Sequence, residues 1–192
     1  MKLLVDESAS SKFTGKYIFL DNDFLSAIFG DEELFKNTLA FFSRGFLTID
    51  SLVKFEFLRD TYLPPQRKLK EAFISKSIFA PVTNHNDIFL RIQNNALLLS
   101  KIYTHTNQPN CKPSFIDLML AGRMMFHENV GVLVTHNKKD FPSCVFNIET
   151  VLNAERTKDA VLLSYSVISF NKRKFNTCYT NLRTLDSKSP EN

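Results

Sequence analysis

The sequence predicts an α/β protein, a three-layer α/β/α sandwich around a central, mainly parallel sheet, followed by a C-terminal hairpin-like extension. Its clearest strand is VGVLVT at residues 130–135, which lacks polar alternation and is therefore typical of a parallel strand buried on both faces. Amphipathic segments with helical spacing separate this strand from the other apolar segments. Strands that alternate with helices favour a parallel sheet with right-handed crossovers.

The first half of the chain supplies two of the predicted strands. An apolar strand at 17–20 and a second strand at 46–50 each lead directly into a helical pattern. Pro64 and Pro65 end the helix that follows the second strand, because proline disfavours a helical residue before it. The predicted helices here begin near Phe24 and span 31–44, 51–63 and, as a basic amphipathic stretch, 66–79.

The second half continues the alternation and then changes character. Helices are predicted at 87–103 and 114–128, and 145–149 is predicted as a last core strand. Beyond it, VLLSYSVISF and KFNTCYT, separated by the polar NKR, predict a hairpin that ends in a frayed tail at 186–192. We therefore divide the chain into a domain over residues 1–150 and an extension over residues 151–192.

The composition limits the class of protein. With 192 residues, of which 44% are hydrophobic and 23% charged, the chain can bury a core, and its 19 Phe predict dense aromatic packing. The net charge of +4 permits a nucleic-acid partner without requiring one. Three cysteines without metal-ligand spacing favour a reducing compartment. Because no signal peptide or membrane-spanning apolar run is evident, we expect a cytoplasmic protein without membrane association.

Acidic residues follow the first predicted strand. In an open parallel sheet, ligands bind beyond the carboxyl ends of the strands, which is where Asp21 and Asp23 stand. Asp23 has a structural explanation as the cap of the helix beginning near Phe24. That explanation does not extend to Asp21, and a functional role for Asp21 is therefore favoured.

Three further acids occupy comparable places. Glu56 shares a helix with Arg59, which could be an ordinary surface partner. Asp117 follows Ser114 with the spacing of a capping box, and Asp140 follows the strand at 130–135 in a segment that could be only a polar turn. Each of these three signals is weak alone.

The four acids are informative as a set, because all fall at strand ends or near the starts of the following helices. Two carboxylates about 4 Å apart repel by on the order of 4 kcal/mol at an effective dielectric constant near 20, so a cluster of them needs a cation. Oxygen ligands without Cys or His favour Mg²⁺ or Mn²⁺ over zinc. The expected metal ligands are Asp21, Glu56, Asp117 and Asp140.

These motifs resemble the PIN domain, and most closely the VapC-type toxin ribonucleases of toxin–antitoxin pairs. The resemblance runs from IFLDND through FEFLRD and PSFIDLMLAGRM to VLVTHNKKDF, over about residues 17–148. It implies a Mg²⁺- or Mn²⁺-dependent endoribonuclease, a homodimer and an antitoxin partner. The four acids would be catalytic, with Asp23, Thr135 and Asn137 in support. Two departures are Asp23, where the family often has Asn, and the extension after about residue 150.

An RNA substrate would also need cations along its backbone. The basic residues expected around the cleft are Lys54, Arg59, Arg123, Lys138 and Lys139.

Two other functions remain open at this point. The apolar segment YIFL followed by the D-x-D motif at 21–23 also resembles the nucleophile strand of haloacid dehalogenase-like phosphatases. However, Leu25 replaces that family's usual Thr, and its later Gly-Asp pair is not evident here. Alternatively, a PIN-like fold could serve as a catalytically inactive RNA-binding or protein-docking module.

Overall fold

The computed structural model describes residues 1–59, 61–82, 85–105, 113–156 and 161–186. Over these residues the chain is an α/β protein with a mixed, six-stranded sheet. The strands are β1 (Lys2–Leu4), β2 (Tyr17–Leu20), β3 (Phe46–Thr48), β4 (Gly131–Thr135), β5 (Phe146–Arg156) and β6 (Val161–Phe170). The α-helices are α1 (Asn22–Gly30), α2 (Glu32–Phe41), α3 (Ser51–Arg59), α4 (Pro64–Ile74), α5 (Asn86–His105), α6 (Phe115–Phe126) and α7 (Lys172–Asp186), and 3₁₀ helices cover Glu7–Phe13 and Lys138–Asp140.

The sheet has the order β1-β5-β6-β4-β2-β3. Strand β2 pairs in parallel with both β3 and β4, whereas β1 with β5 and β4 with β6 pair antiparallel. The predicted α/β class is confirmed, but the sheet is mixed instead of mainly parallel. Strands β5 and β6 are neighbours in the sheet and are linked only by residues 157–160. A link of that length is too short for the crossover connection that two parallel strands require, so a wholly parallel sheet is not possible here.

The predicted C-terminal hairpin is wrong in its second strand. Residues 161–170 form β6 between β5 and β4, but 174–180 lie in α7, where Asn171 Oδ1 accepts a hydrogen bond from the Lys174 amide at 3.0 Å. That bond is a helix N-cap, which fixes the start of α7. The boundary predicted near residue 150 falls inside β5, and residues 187–192 of the predicted frayed tail lie outside the described residues.

The described residues group into two compact units. The first comprises those within Met1–Thr83, Val130–Lys138 and Ile148–Ile168, and the second those within Asn84–Asn129, Lys139–Asn147 and Ser169–Asn192. In the described parts of the chain, no helix combines the length and hydropathy needed to cross a membrane.

Aromatic side chains fill much of the core of the first unit. The ring of Phe73 lies 5.1–5.5 Å from the rings of Phe29, Phe35 and Phe79, centroid to centroid, in tilted or edge-on geometry. Such contacts stabilise the folded state beyond the free energy of burial alone. The dense phenylalanine packing expected from the composition is thus present around α4.

Candidate active site

The candidate site of the first unit lies at the carboxyl ends of parallel strands β2 and β4. Asp21 directly follows β2, and Thr135 is the last residue of β4. The Thr135 hydroxyl donates a hydrogen bond to Asp21 Oδ2 at 2.7 Å, and both residues are buried, with 0% and 6% exposure. The sheet register therefore places a buried carboxylate where such sheets bind ligands.

Asp21 also begins helix α1. Its Oδ1 accepts a hydrogen bond from the Asn22 amide at 2.7 Å, and its main chain is extended, as expected for an N-cap. The expectation that Asp23 caps a helix starting near Phe24 is wrong, because α1 begins two residues earlier. Asp23 is exposed in the first turn, where its charge adds to burial in raising the pKa of the Tyr165 hydroxyl.

Asn137 joins the same arrangement through its main chain. The Asn137 amide donates to Thr135 Oγ1 at 3.0 Å, so the Thr135 hydroxyl accepts one hydrogen bond and donates another. A hydroxyl held at both ends has little rotational freedom. Thr135 thereby fixes both the Asp21 carboxylate and the first turn after β4.

A buried acid that the sequence analysis overlooked is Asp50, which is 3% exposed. Phe19 of β2 pairs with Thr48 of the parallel strand β3. Asp21 and Asp50 each come two residues after this pair, so they occupy equivalent positions at the ends of neighbouring strands. Asp50 Oδ1 accepts from the Leu52 amide at 2.8 Å, at the start of α3. The sequence does contain a sign of this site, because FLTID ends in an acid just as YIFLD does. The strand was predicted to include all of residues 46–50, whereas β3 ends at Thr48 and Asp50 lies beyond it.

Glu56 lies on α3, between the exposed Phe55 and the buried Phe57. Its own side chain is of intermediate exposure, and Arg59 at the end of the helix is exposed. Glu56 thus lies at the border between the buried and solvated faces of α3.

The second unit brings Asp117 and Asp140 close enough to interact. Asp140 is 5% exposed, and burial raises the pKa of its carboxyl; the charge of Asp117 raises it further, whereas Lys139 lowers it. The Tyr103 hydroxyl donates to the Asp140 main-chain oxygen at 2.7 Å and holds this short 3₁₀ segment. An acid in this state is costly to ionise without a cation nearby.

Asp117 also has the structural role that its spacing predicted. The Asp117 amide donates to Ser114 Oγ at 3.1 Å, and the Ser114 amide donates to Asp117 Oδ2 at 2.8 Å, which completes the capping box of α6. The capping box explains where the Asp117 side chain lies. The charge of that side chain nevertheless raises the pKa of Asp140.

The predicted RNA-contacting residues differ in accessibility. Arg59, Lys138 and Lys139 are exposed. Arg123, in contrast, is only 2% exposed within α6, and its charge lowers the pKa of His127 in addition to the effect of burial. A side chain buried to this degree does not present its charge to a phosphate backbone, so Arg123 is not an RNA contact.

Carboxylate oxygens are the donors that the expected metal ion prefers. Among the described residues, no group of three or more His, Cys, Asp or Glu side chains is arranged to hold a metal. Magnesium, however, commonly keeps several water ligands and binds through one or two carboxylates. Asp21 and Asp50 in the first unit, and Asp117 and Asp140 in the second, are donors of that type.

Comparison of the chain with protein-family models, with curated proteins and with solved structures yields no match.

Proposed function

We propose that this protein is a divalent-metal-dependent endoribonuclease with a PIN-like, three-layer fold, and that Asp21 is its central metal ligand. The observation that carries the proposal is the buried Asp21 carboxylate at the carboxyl edge of β2, held by the Thr135 hydroxyl of neighbouring β4 at 2.7 Å. A fixed, buried carboxylate is a preorganised oxygen donor, and preorganisation is what metal sites require of their ligands.

Mg²⁺ or Mn²⁺ would be held by carboxylates on the elements described above. When bound, the ion lowers the pKa of water and neutralises charge on a phosphodiester. The protein's own contribution is to keep the donors in place: Thr135 orients Asp21, the Leu52 amide orients Asp50, and Tyr103 fixes the Asp140 main chain. The carboxylates proposed as ligands are Asp21, Asp50 and Glu56 in the first unit, and Asp117 and Asp140 in the second.

Asp140 differs from the other proposed ligands in its pKa. Burial and the charge of Asp117 raise the pKa of this carboxyl, so its ionised form would gain from a cation beside it. We therefore propose that metal binding and ionisation of Asp140 occur together.

The exposed cations Lys138 and Lys139 lie in the turn after β4 and precede Asp140 in the chain. Contacts of this kind to phosphates position a nucleic acid without reading its sequence. RNA binding through them should weaken as the salt concentration rises, because each phosphate contact releases counterions.

The proposal includes a homodimer and an antitoxin whose basic side chain enters the acidic site. An Arg or Lys there would supply the positive charge that the metal otherwise provides. Light scattering at micromolar concentration tests the dimer, and a scattering mass equal to one chain would contradict it.

Cleavage of RNA tests the activity. We expect single-stranded and structured RNA to be cut in Mg²⁺ or Mn²⁺ and left intact in EDTA, with a rate loss on the order of 10²-fold or more for Asp21→Asn and Asp50→Asn. The matched control is Asp87→Asn, an exposed acid at the start of α5, which should cleave as the parent does. Equal cleavage by all variants would place the site elsewhere.

The same samples separate the two other functions. RNA binding with no cleavage in either metal would support an inactive RNA-binding module. Hydrolysis of a chromogenic phosphate monoester, with an acid-labile phosphate on Asp21, would support a phosphatase.

A further inference from the structure

One face of helix α7 is fastened to the chain segment that follows Asp140. The main-chain amide of Asn171 donates to the main-chain oxygen of Val145 at 2.9 Å, and Lys174 Nζ donates to the main-chain oxygen of Ser143 at 3.0 Å. Cys178 Sγ donates to the Cys144 oxygen at 3.4 Å. Lys174 and Cys178 lie four residues apart and so share one face of α7, while Asn171 makes its contact from the main chain just before the helix. Three contacts thus join the start of α7 to residues 143–145.

The third contact brings the Cys178 thiol to the main chain of a second cysteine, Cys144. Cys144 and Cys178 are both partly exposed and carry reduced thiols. The Cα atom of Cys144 is about 2.4 Å from its own carbonyl oxygen, so Cys178 Sγ lies within about 6 Å of that Cα atom. Disulfides usually join residues whose Cα atoms are about 4.4–6.8 Å apart, and a Cys178 sulfur 3.4 Å from the Cys144 oxygen is compatible with that spacing, so side-chain rotation would be needed to bring the two sulfur atoms together.

We propose that Cys144 and Cys178 form a reversible disulfide under peroxide, and that this bond is a redox modification site of the protein. One thiol is oxidised by hydrogen peroxide to a sulfenic acid with release of water. The second thiol then attacks that sulfur, forms the S–S bond and releases a second water. Two thiols and one peroxide thus give one disulfide and two waters, and a dithiol reductant reverses the reaction.

The bond would tie α7 covalently to the segment that carries Asp140. Asp140 stands four residues before Cys144, and the intervening Phe141 packs edge-on against Phe146 at 5.6 Å. Because a cross-link restricts local opening, the amides of residues 143–147 should exchange hydrogen more slowly in the oxidised protein. This modification does not depend on the proposed nuclease activity.

Peptide mapping of the full-length protein after treatment with hydrogen peroxide tests the proposal. We expect the mass to fall by two hydrogen atoms and digestion to release one cross-linked pair containing Cys144 and Cys178. The cross-link should persist in Cys111→Ser, disappear in Cys178→Ser and open with dithiothreitol. Cross-links through Cys111, disulfides only between molecules, or sulfinic acids without a disulfide would each overturn the proposal.

Discussion

At the residue scale, the Thr135 hydroxyl is the group on which the candidate site of the first unit depends. It donates to Asp21 and accepts from the Asn137 amide, while its side chain is fully buried. A water molecule could take over the two hydrogen bonds of this hydroxyl only if the packing around Thr135 opened to admit it. Its loss would affect the carboxylate and the turn after β4 together.

The substitution Thr135→Val keeps the shape of the side chain and removes the hydroxyl. We expect it to lower the free energy of unfolding by about 1–3 kcal/mol, because a buried acceptor and a buried donor each lose a partner. Thr135→Ser is the matched control, since it retains the hydroxyl and loses only a methyl group. Urea unfolding measures both, and a valine variant as stable as the parent protein would show that these bonds do not matter.

Asp140 predicts a dependence of stability on pH in the metal-free protein. Its folded pKa is raised by burial and by Asp117, so the unfolded chain releases this proton at a lower pH than the folded chain does. Stability must therefore fall as pH rises from the ordinary Asp value of about 3.9 through the folded pKa, and the penalty is complete above it.

Removing the titrating group removes that penalty. In EDTA, Asp140→Asn should gain stability over the parent protein as the pH is raised from 4 to 7, whereas the exposed control Asp87→Asn should not follow this trend. Urea midpoints at the two pH values give the comparison. A difference between Asp140→Asn and the parent that stays constant with pH would rule out the raised pKa.

Sequence reasoning at this scale found residues by their place after a strand. Asp21 and Thr135 were selected in this way, and the structure places them in contact. Asp50 was missed because an acid at the end of an apolar run was counted as part of the strand. The buried state of Arg123 could not be inferred, since a single basic residue in an apolar helix gives no sign of which way it faces.

At the element scale, helices α5 and α6 pack closely at Gly122. A Cβ atom on this residue would lie 2.4 Å from the Ile92 oxygen and 2.9 Å from the Ala96 nitrogen, which are backbone atoms and cannot move aside cheaply. The Gly122 oxygen also accepts a hydrogen bond from Asn95 Nδ2 at 3.2 Å. The absence of a side chain at Gly122 is therefore required by the helix pair.

We expect Gly122→Ala to destabilise the protein by about 1–3 kcal/mol through overpacking. Gly30→Ala is the control, because a Cβ atom there meets nothing within 4 Å and alanine favours a helix by roughly 1 kcal/mol over glycine. Thermal unfolding distinguishes them. Equal stability of the two variants would contradict the close approach of α5 and α6.

The elements themselves were predictable where local signals agreed. The capping box of α6 is present as the Ser114-to-Asp117 spacing predicted. Helix α7 was missed because the aromatic and β-branched residues of KFNTCYT resemble a strand. The helical signal was available, since Asn171 precedes a basic run and Phe175, Tyr179 and Leu182 recur with helical spacing.

At the scale of the whole molecule, the sheet explains what the sequence could and could not predict. The parallel pairing of β2 with β3 and β4 follows from the helices between them. Two antiparallel pairs, β1 with β5 and β4 with β6, join strands that are distant in sequence. Such long-range pairings leave no periodic signal in the chain, and so the mixed sheet could not be predicted from it.

The central claim is that Asp21 is a metal ligand and not only a helix cap. Thermal unfolding of the parent protein and of Asp21→Asn, each in EDTA and in Mg²⁺, tests it most directly. Asn is as good an N-cap as Asp, but its amide group replaces Oδ2, which accepts the Thr135 hydrogen bond. The melting temperature in EDTA therefore reports the loss of that bond together with any relief of carboxylate repulsion, and the difference between EDTA and Mg²⁺ carries the test.

Magnesium at about 100 times its dissociation constant should stabilise the parent protein by about 2.7 kcal/mol, and Asp21→Asn by less. For a chain of this size, that corresponds to a rise in melting temperature of roughly 5–10 °C. If Asp21→Asn instead loses the same stability in EDTA and in Mg²⁺, Asp21 is a structural residue and the nuclease proposal fails with it.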